Sequence, residues 1–183
     1  MGVMLMPDSS AAMKGEQNST STSSLLNMDI YIEIFRILRP EGICAFSTWQ
    51  TVGWIPDVRA ALATIPGAPP FPDDETFMST LSRGAPWHRP AYVEEQLAVH
   101  GFKDDKVEVM TSLPSVDNPA VYAEMFSRMI VGFMASLIWS NEDREKYADS
   151  VKPALLGYMT KKYGEGQRIE WDMAAIVATA RKP

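Results

Sequence analysis

The sequence predicts an α/β fold. Three observations carry this. Apolar residues fall at helical spacing over Asp29 to Leu38, a short apolar run at Ile43 to Thr48 is bounded by turn residues, and helical and strand-like segments alternate beyond it. The order after residue 29 is helix, strand, several helices, strand, two helices, strand, with no internal repeat.

Each element has a local reason. Gly15 to Leu26 is a polar Ser/Thr run with little to bury, and it reads as a flexible loop. From Asp29 onward, Ile30, Ile34, Ile37 and Leu38 line one face of an amphipathic helix, which Pro40 and Gly42 stop. Ile43 to Thr48 is then a buried strand. A helix is expected from about Val52 to Ile65, with Pro56 in its first turn, followed by a turn-rich connection over Pro66 to Pro72. Asp73 or Asp74 caps a short helix through Ser82, and Arg89 to Val99 forms another, with Pro90 in its first turn and Gly101 just past its end. Lys106 to Leu113 alternates as a half-buried strand would, with Val107, Val109 and Thr111 on one face. Asn118-Pro119 opens a long apolar helix to about Trp139. Asn141 caps the next, which carries Glu142 and Asp143 in its first turn and a possible break at Pro153. Gly164 to Gly166 turns the chain into a final strand, Arg168 to Ala180.

Bulk properties narrow the function classes. The 183 residues are 46% hydrophobic and 22% charged, as in an ordinary globular domain. A net charge of −6 without a dense Lys/Arg cluster argues against nucleic acid as the main partner. The longest apolar run, Met129 to Trp139, is too short to span a bilayer, and Met1 to Met6 does not resemble a signal peptide. The single Cys44 excludes an internal disulfide, fits a reducing compartment and makes a cytoplasmic location the expectation; inside an apolar strand it reads as an inert buried thiol. The 12 Met and five Trp are mostly core, with a residual signal toward a small, apolar, ring-bearing ligand.

Glu33-Ile-Phe-Arg-Ile-Leu-Arg-Pro-Glu-Gly-Ile-Cys-Ala-Phe-Ser-Thr-Trp49 resembles the helix-to-strand junction E-[IL]-x-R-[VI]-L-[KR]-P-G-G of class I S-adenosylmethionine-dependent methyltransferases, with Glu41 in place of the first Gly. The remainder resembles fungal small-molecule methyltransferases of secondary metabolism, the gliotoxin thiomethyltransferase type included. The marks are Ser47-Thr48-Trp49-Gln50, Gly53-Trp54-Ile55-Pro56, Thr64-Ile65-Pro66-Gly67, Pro70-Phe71-Pro72, Gly101-Phe102-Lys103-Asp104 and Ala175-Ile176-Val177-Ala178-Thr179-Ala180. The resemblance covers residues 33 to 182. It implies the C-terminal part of a Rossmann-like methyltransferase sheet, with about three strands, the last two antiparallel, and a helical insertion that forms a substrate pocket. Met1 to Lys14 resembles the segment after the fourth strand in such enzymes. Residues 1 to 32 therefore read as a partial helix with an inserted loop, either a retained intron behind a late start codon or a natural insertion. Residues 33 to 183 read as the C-terminal half of the domain.

Family members hold S-adenosylmethionine at a Gly-rich turn after the first strand and through an acidic residue at the end of the second. No G-x-G-x-G occurs here, and Gly164-Glu165-Gly166 lacks a third glycine and a preceding strand. The resemblance thus implies the cofactor, while the sequence implies that this chain alone does not bind it normally. It also implies an open apolar edge at the Ile43 to Thr48 strand, through which the chain could form an oligomer.

Methyl transfer to a thiolate or activated hydroxyl is an in-line displacement governed by positioning and exclusion of water, with a base only where the nucleophile is weakly acidic. His88, at a loop-to-helix junction, is the candidate base; a helix-start histidine without a role is the commoner reading of such a residue. His100, just before Gly101, reads as a helix-end residue favoured by the dipole. Trp49 and Trp54 follow the C-terminal end of a sheet strand, where ligands bind in open α/β sheets, and read equally as pocket or core. Trp87 joins them as a candidate substrate contact. Met125, Met129 and Phe133 share one helix face, with core packing as the expectation and a substrate lid as the alternative. Met4 and Met6 match the segment that lies beside the cofactor in relatives. No metal-ligand spacing is present. The chain thus reads as a methyltransferase acting on O, S or N of a small apolar natural product. The alternatives are a non-catalytic fragment that binds a ligand or partner, and a cofactor-independent pericyclase or isomerase.

Overall fold

A computed structural model describes residues 32–183, apart from the side chains at 133–136. Met4, Met6 and the Ser/Thr run at 15–26 lie outside the described residues. The elements are α1 (residues 32–37), β1 (Ile43–Val52), α2 (Ile55–Leu62), α3 (Asp74–Leu81), α4 (Pro90–Val99), β2 (Lys103–Ser112), β3 (Ser115–Val116), α5 (Pro119–Met129), a π-helical turn (Ile130–Met134), α6 (Ala135–Ile138), α7 (Asn141–Tyr163), β4 (Ile169–Glu170) and β5 (Met173–Arg181). Strands β1, β5 and β2 form a sheet in that order, and β3 pairs antiparallel with β4. The expected α/β class and antiparallel pairing at the end of the chain are present. Residues are grouped into two compact units: one comprises the chain up to Thr51, Met78–Thr111 and Ala174–Pro183, the other Val52–Phe77 and Ser112–Met173.

The first unit is built on the central strand. Along β5, Ile176, Ala178 and Ala180 are buried at every second position, as one face of a pleated strand requires. They join Trp87, Val93, Leu97 and Phe102 in one core, against which Ile34, Phe35, Leu38, Cys44, Phe46 and Val107 pack. The antiparallel pairing of β1 with β5 is anchored where Glu41 N donates to Lys182 O (2.9 Å) and Lys182 N donates to Gly42 O (2.9 Å). Glu41 itself has φ 63°, the left-handed region that favours glycine, which is why glycine is usual at this turn.

Three expectations for this unit need correction. The Ile43 to Thr48 segment, expected to be a buried strand, is buried only at Thr48, with Ile43 63% exposed at its start. Ile37, expected on the packed face of α1, is 64% exposed, and Phe35 takes that place with its ring edge-on to Phe102 at 5.1 Å. β2, expected to be half-buried, is exposed at nearly every residue, and only Val107 reaches the core. The cause is its position at the sheet edge, where Lys103, Asp104, Asp105, Lys106 and Glu108 discourage further pairing.

The second unit is helical. Tyr147, Val151, Leu155 and Met159 recur every fourth residue along α7 and form its buried stripe. That stripe runs past Pro153, so the helix does not break there: burial on both sides outweighs the lost hydrogen bond, a penalty of about 3 kcal/mol. The expected single helix from Pro119 to Trp139 is interrupted by the π-helical turn. Caps are local and legible. Asp73 Oδ1 accepts from Thr76 N (2.7 Å), and Asn118 Oδ1 accepts from Val121 N (3.0 Å). At α7 the cap is Ser140 rather than Asn141, its Oγ accepting from Asp143 N at 3.0 Å. Ser140→Ala is expected to lower stability by about 1 kcal/mol, measured as the shift of the urea midpoint, whereas Asn141→Ala should leave it nearly unchanged.

Candidate functional site

Gly53 to Asp57 carries the chain from β1 into α2. Gly53 N donates to Asp172 O at 2.8 Å, an approach so close that a Cβ on Gly53 would lie 2.2 Å from that oxygen. Pro56 and Asp57 occupy the first turn of α2, the first pre-set in φ and the second placed where the helix dipole favours an acid.

Asp57 is buried, and a buried carboxylate needs partners. The C-terminal turns of α7 provide them. Lys162 Nζ forms an ion pair with Asp57 Oδ1, Tyr163 OH donates to Oδ2 at 2.7 Å, and Tyr158 OH lies 3.5 Å from Oδ1. Burial works against the charge on Lys162, but the hydrogen bonds to Asp57 and Tyr163 outweigh it and hold the ammonium well above its ordinary pKa. Burial, then the hydrogen bond to Asp57, pushes the Tyr163 phenol up.

Beside these groups lies an aromatic cluster. Trp54 meets Phe77 at 5.6 Å and Phe126 at 5.3 Å between ring centroids. Tyr122 stacks on Phe126 at 4.1 Å, and Trp171 stands edge-on to both, at 5.8 and 5.4 Å. Tyr122 is 1% exposed, and its hydroxyl has no hydrogen-bond partner among the described residues. Burial first, and the Asp57 charge second, push its pKa far up, so the phenol stays protonated.

The candidate residues of the sequence are dispersed. Trp54 is buried in this aromatic cluster of the second unit. Trp87 is buried in the core of the first unit, edge-on to Tyr92 at 5.0 Å; His88, next to it in the turn before α4, is half-buried, as is Trp49 on β1. His100 Nδ1 sits 2.7 Å from Gln96 O at the end of α4. Met125, expected in the core, is 44% exposed on α5, and Met129 is half-buried; Tyr122, Ala123 and Phe126 form the packed face instead. The side chain of Phe133 lies outside the described residues. Cys44 is half-buried, and burial raises its thiol pKa. Sequence reasoning misses Asp57, Tyr122, Tyr158, Lys162 and Tyr163. The i, i+4 pair Tyr158 and Lys162 is visible in the sequence, but its partner lies over a hundred residues earlier.

Among the described residues, Gly53 is the glycine that follows a strand and precedes a helix, and a Cβ there would meet the Asp172 backbone. Among the described residues no group of His, Cys, Asp or Glu is arranged to hold a metal ion, and no helix is long and apolar enough to cross a membrane.

No protein-family model matches the chain. Individual relatives do. The acetylaranotin bis-thiomethyltransferase of Aspergillus terreus is 30% identical over 151 residues, which are 82% of this chain and 54% of that protein. The methyltransferase tpcH of Aspergillus fumigatus is 29% identical over 82% of this chain and 52% of its own length, and the methyltransferase ktnA of Aspergillus niger is 28% identical over 82% and 48%. The chain spans about half the length of these relatives, and over that half it is similar in sequence to proteins named as fungal methyltransferases, the kind of protein that the junction at Glu33 to Trp49 resembles.

Proposed function

We propose that this chain is the substrate-facing part of a methyltransferase that modifies O, S or N of a small apolar secondary metabolite, with S-adenosylmethionine as the methyl donor. The observation that carries the reading is the similarity over 151 residues to a protein named as a bis-thiomethyltransferase. The strand order β1-β5-β2 supports reading the sheet as the C-terminal part of a Rossmann-like sheet. The aromatic side chains of the second unit supply an apolar, water-excluding wall, which is what an in-line displacement asks of a protein. Within this reading His88 is the base where the acceptor needs one. The candidate substrate contacts within the second unit are Trp54, Met125 and Met129, and within the first unit Trp49 and Trp87.

The described residues hold no cradle for the donor, so calorimetric titration of the purified chain with S-adenosylmethionine should give no binding heat. Micromolar binding would overturn the division of labour proposed here. A second reading, a binding protein that takes a partner along the strand edge, is favoured by β1: among the described strands it bonds only to β5, and its Ile43 is 63% exposed. A chain that unfolds cooperatively, binds no donor and associates with itself as concentration rises would favour that second reading.

A further inference from the structure

We propose that the outer edge of β1 pairs with the same edge of a second copy of this chain, antiparallel and about a two-fold axis at Ser47. The proposal rests on the strand-edge reading above and names its partner.

The two edges of the β1-β5-β2 sheet are built differently. Along β2 stand Lys103, Asp104, Asp105, Lys106 and Glu108, and Asp104 has φ 50°, off the extended geometry that a ladder needs. The same length of β1, Ile-Cys-Ala-Phe-Ser-Thr-Trp-Gln-Thr-Val, contains no charged residue, proline or glycine. A strand that stays at an edge is normally blunted by such residues, and β1 lacks them all.

The ladder fixes which groups this edge offers. Lys182 N donates to Gly42 O, so the backbone groups of Cys44, Phe46 and Thr48 face β5, and those of Ile43, Ala45, Ser47 and Trp49 face outward. The side chains agree: Cys44 and Phe46 pack on the core that holds Ala178 and Ala180, while Ile43 and Ala45 are exposed.

Size and charge select a copy of the same chain. Pairing about Ser47 sets Ala45 opposite Trp49 of the other copy and Thr48 opposite Phe46, a small side chain against a large one each time. Each chain carries a net charge of −6, so two of them meet most easily where neither presents a charge, and β1 is such a surface. An unlike partner would find no charged group on this edge to select it. Pairing about an axis uses up both edges, so assembly stops at two copies.

Sedimentation velocity of the full chain should show monomer passing to dimer as concentration rises. Ser47→Lys sets two ammonium groups against each other on the axis and should keep the chain monomeric, with its circular dichroism unchanged. Ala45→Lys, at an exposed position, replaces it if Ser47→Lys does not fold. In a Cys44→Ser background, Ser47→Cys should be captured as a dimer by a short bis-maleimide, and Thr111→Cys on the β2 edge should not. A chain that is monomeric at every concentration, or a dimer that survives both lysine variants, would overturn the proposal. So would a dimer in which Ser47→Cys is captured no better than Thr111→Cys. Amide exchange separates this failure from failure of the strand-edge reading. Fast exchange at Ala45 and Ser47 in a monomer sinks only the second copy and leaves the edge open to a different partner. Slow exchange there in a monomer means that the chain covers its own edge, and both readings fall.

Discussion

Replacing Phe126 with alanine is expected to cost about 3–5 kcal/mol of stability. Phe126 is buried and sits where three other rings meet it, with Tyr122 stacked at 4.1 Å, Trp54 at 5.3 Å and Trp171 at 5.4 Å. Removing it deletes one ring and leaves a cavity that three stiff aromatic neighbours cannot close. A small domain has about 5–15 kcal/mol of stability in total, so the loss is a large share of it and the urea midpoint should fall steeply. Urea titration followed by tryptophan fluorescence measures this, because Trp54 and Trp171 line the cavity. Phe126→Leu, which refills most of the volume, should cost markedly less. A loss below about 1 kcal/mol for the alanine variant, far under the usual range for such a truncation, would mean that the ring cluster is not packed as described.

Gly53→Ala is the second large effect. The new methyl group would sit 2.2 Å from Asp172 O and 3.0 Å from Asp172 N, both backbone atoms without a rotamer to move out of the way. The two segments must separate, and the 2.8 Å hydrogen bond from Gly53 N goes with them. Overpacking of this kind costs about 1–3 kcal/mol or more, seen as a lower urea midpoint and faster amide exchange at position 53. Gly157 supplies the contrast. It lies inside α7 with nothing within 4 Å of its added Cβ, so Gly157→Ala should stabilise the chain by about 0.5–1 kcal/mol.

Legibility in the sequence tracks the range of the interaction that decides each feature. The caps at Asp73 and Asn118 depend on a residue three positions away, and the turn at Pro40 to Gly42 on its own dihedrals; the sequence announces all of them. Ile37 and Phe35 differ by a fraction of a helical turn, and only the position of Phe102 decides which of them packs. Pro153 would break an isolated helix, but here the burial of Val151 and Leu155 overrides it. β2 alternates like a half-buried strand, yet its place at the edge of the sheet is a fact of topology that its own residues do not encode. The Asp57 cluster is the extreme case. Its carboxylate and its donors are about a hundred residues apart, and nothing in either segment names the other.

The strand order also fixes a sequence of events. β1 and β2 do not bond to each other; both wait for β5, which the ribosome releases after every other strand. Until then the inner edges of both strands and the apolar faces of Phe35, Leu97 and Phe102 have no central partner. Pairings between such distant segments form slowly, because the loop must be closed before any contact rewards it. The nascent chain therefore carries one unfinished strand edge after β1 and two from the end of β2 until β5 emerges, and that interval, rather than the finished protein, is when it most needs a chaperone.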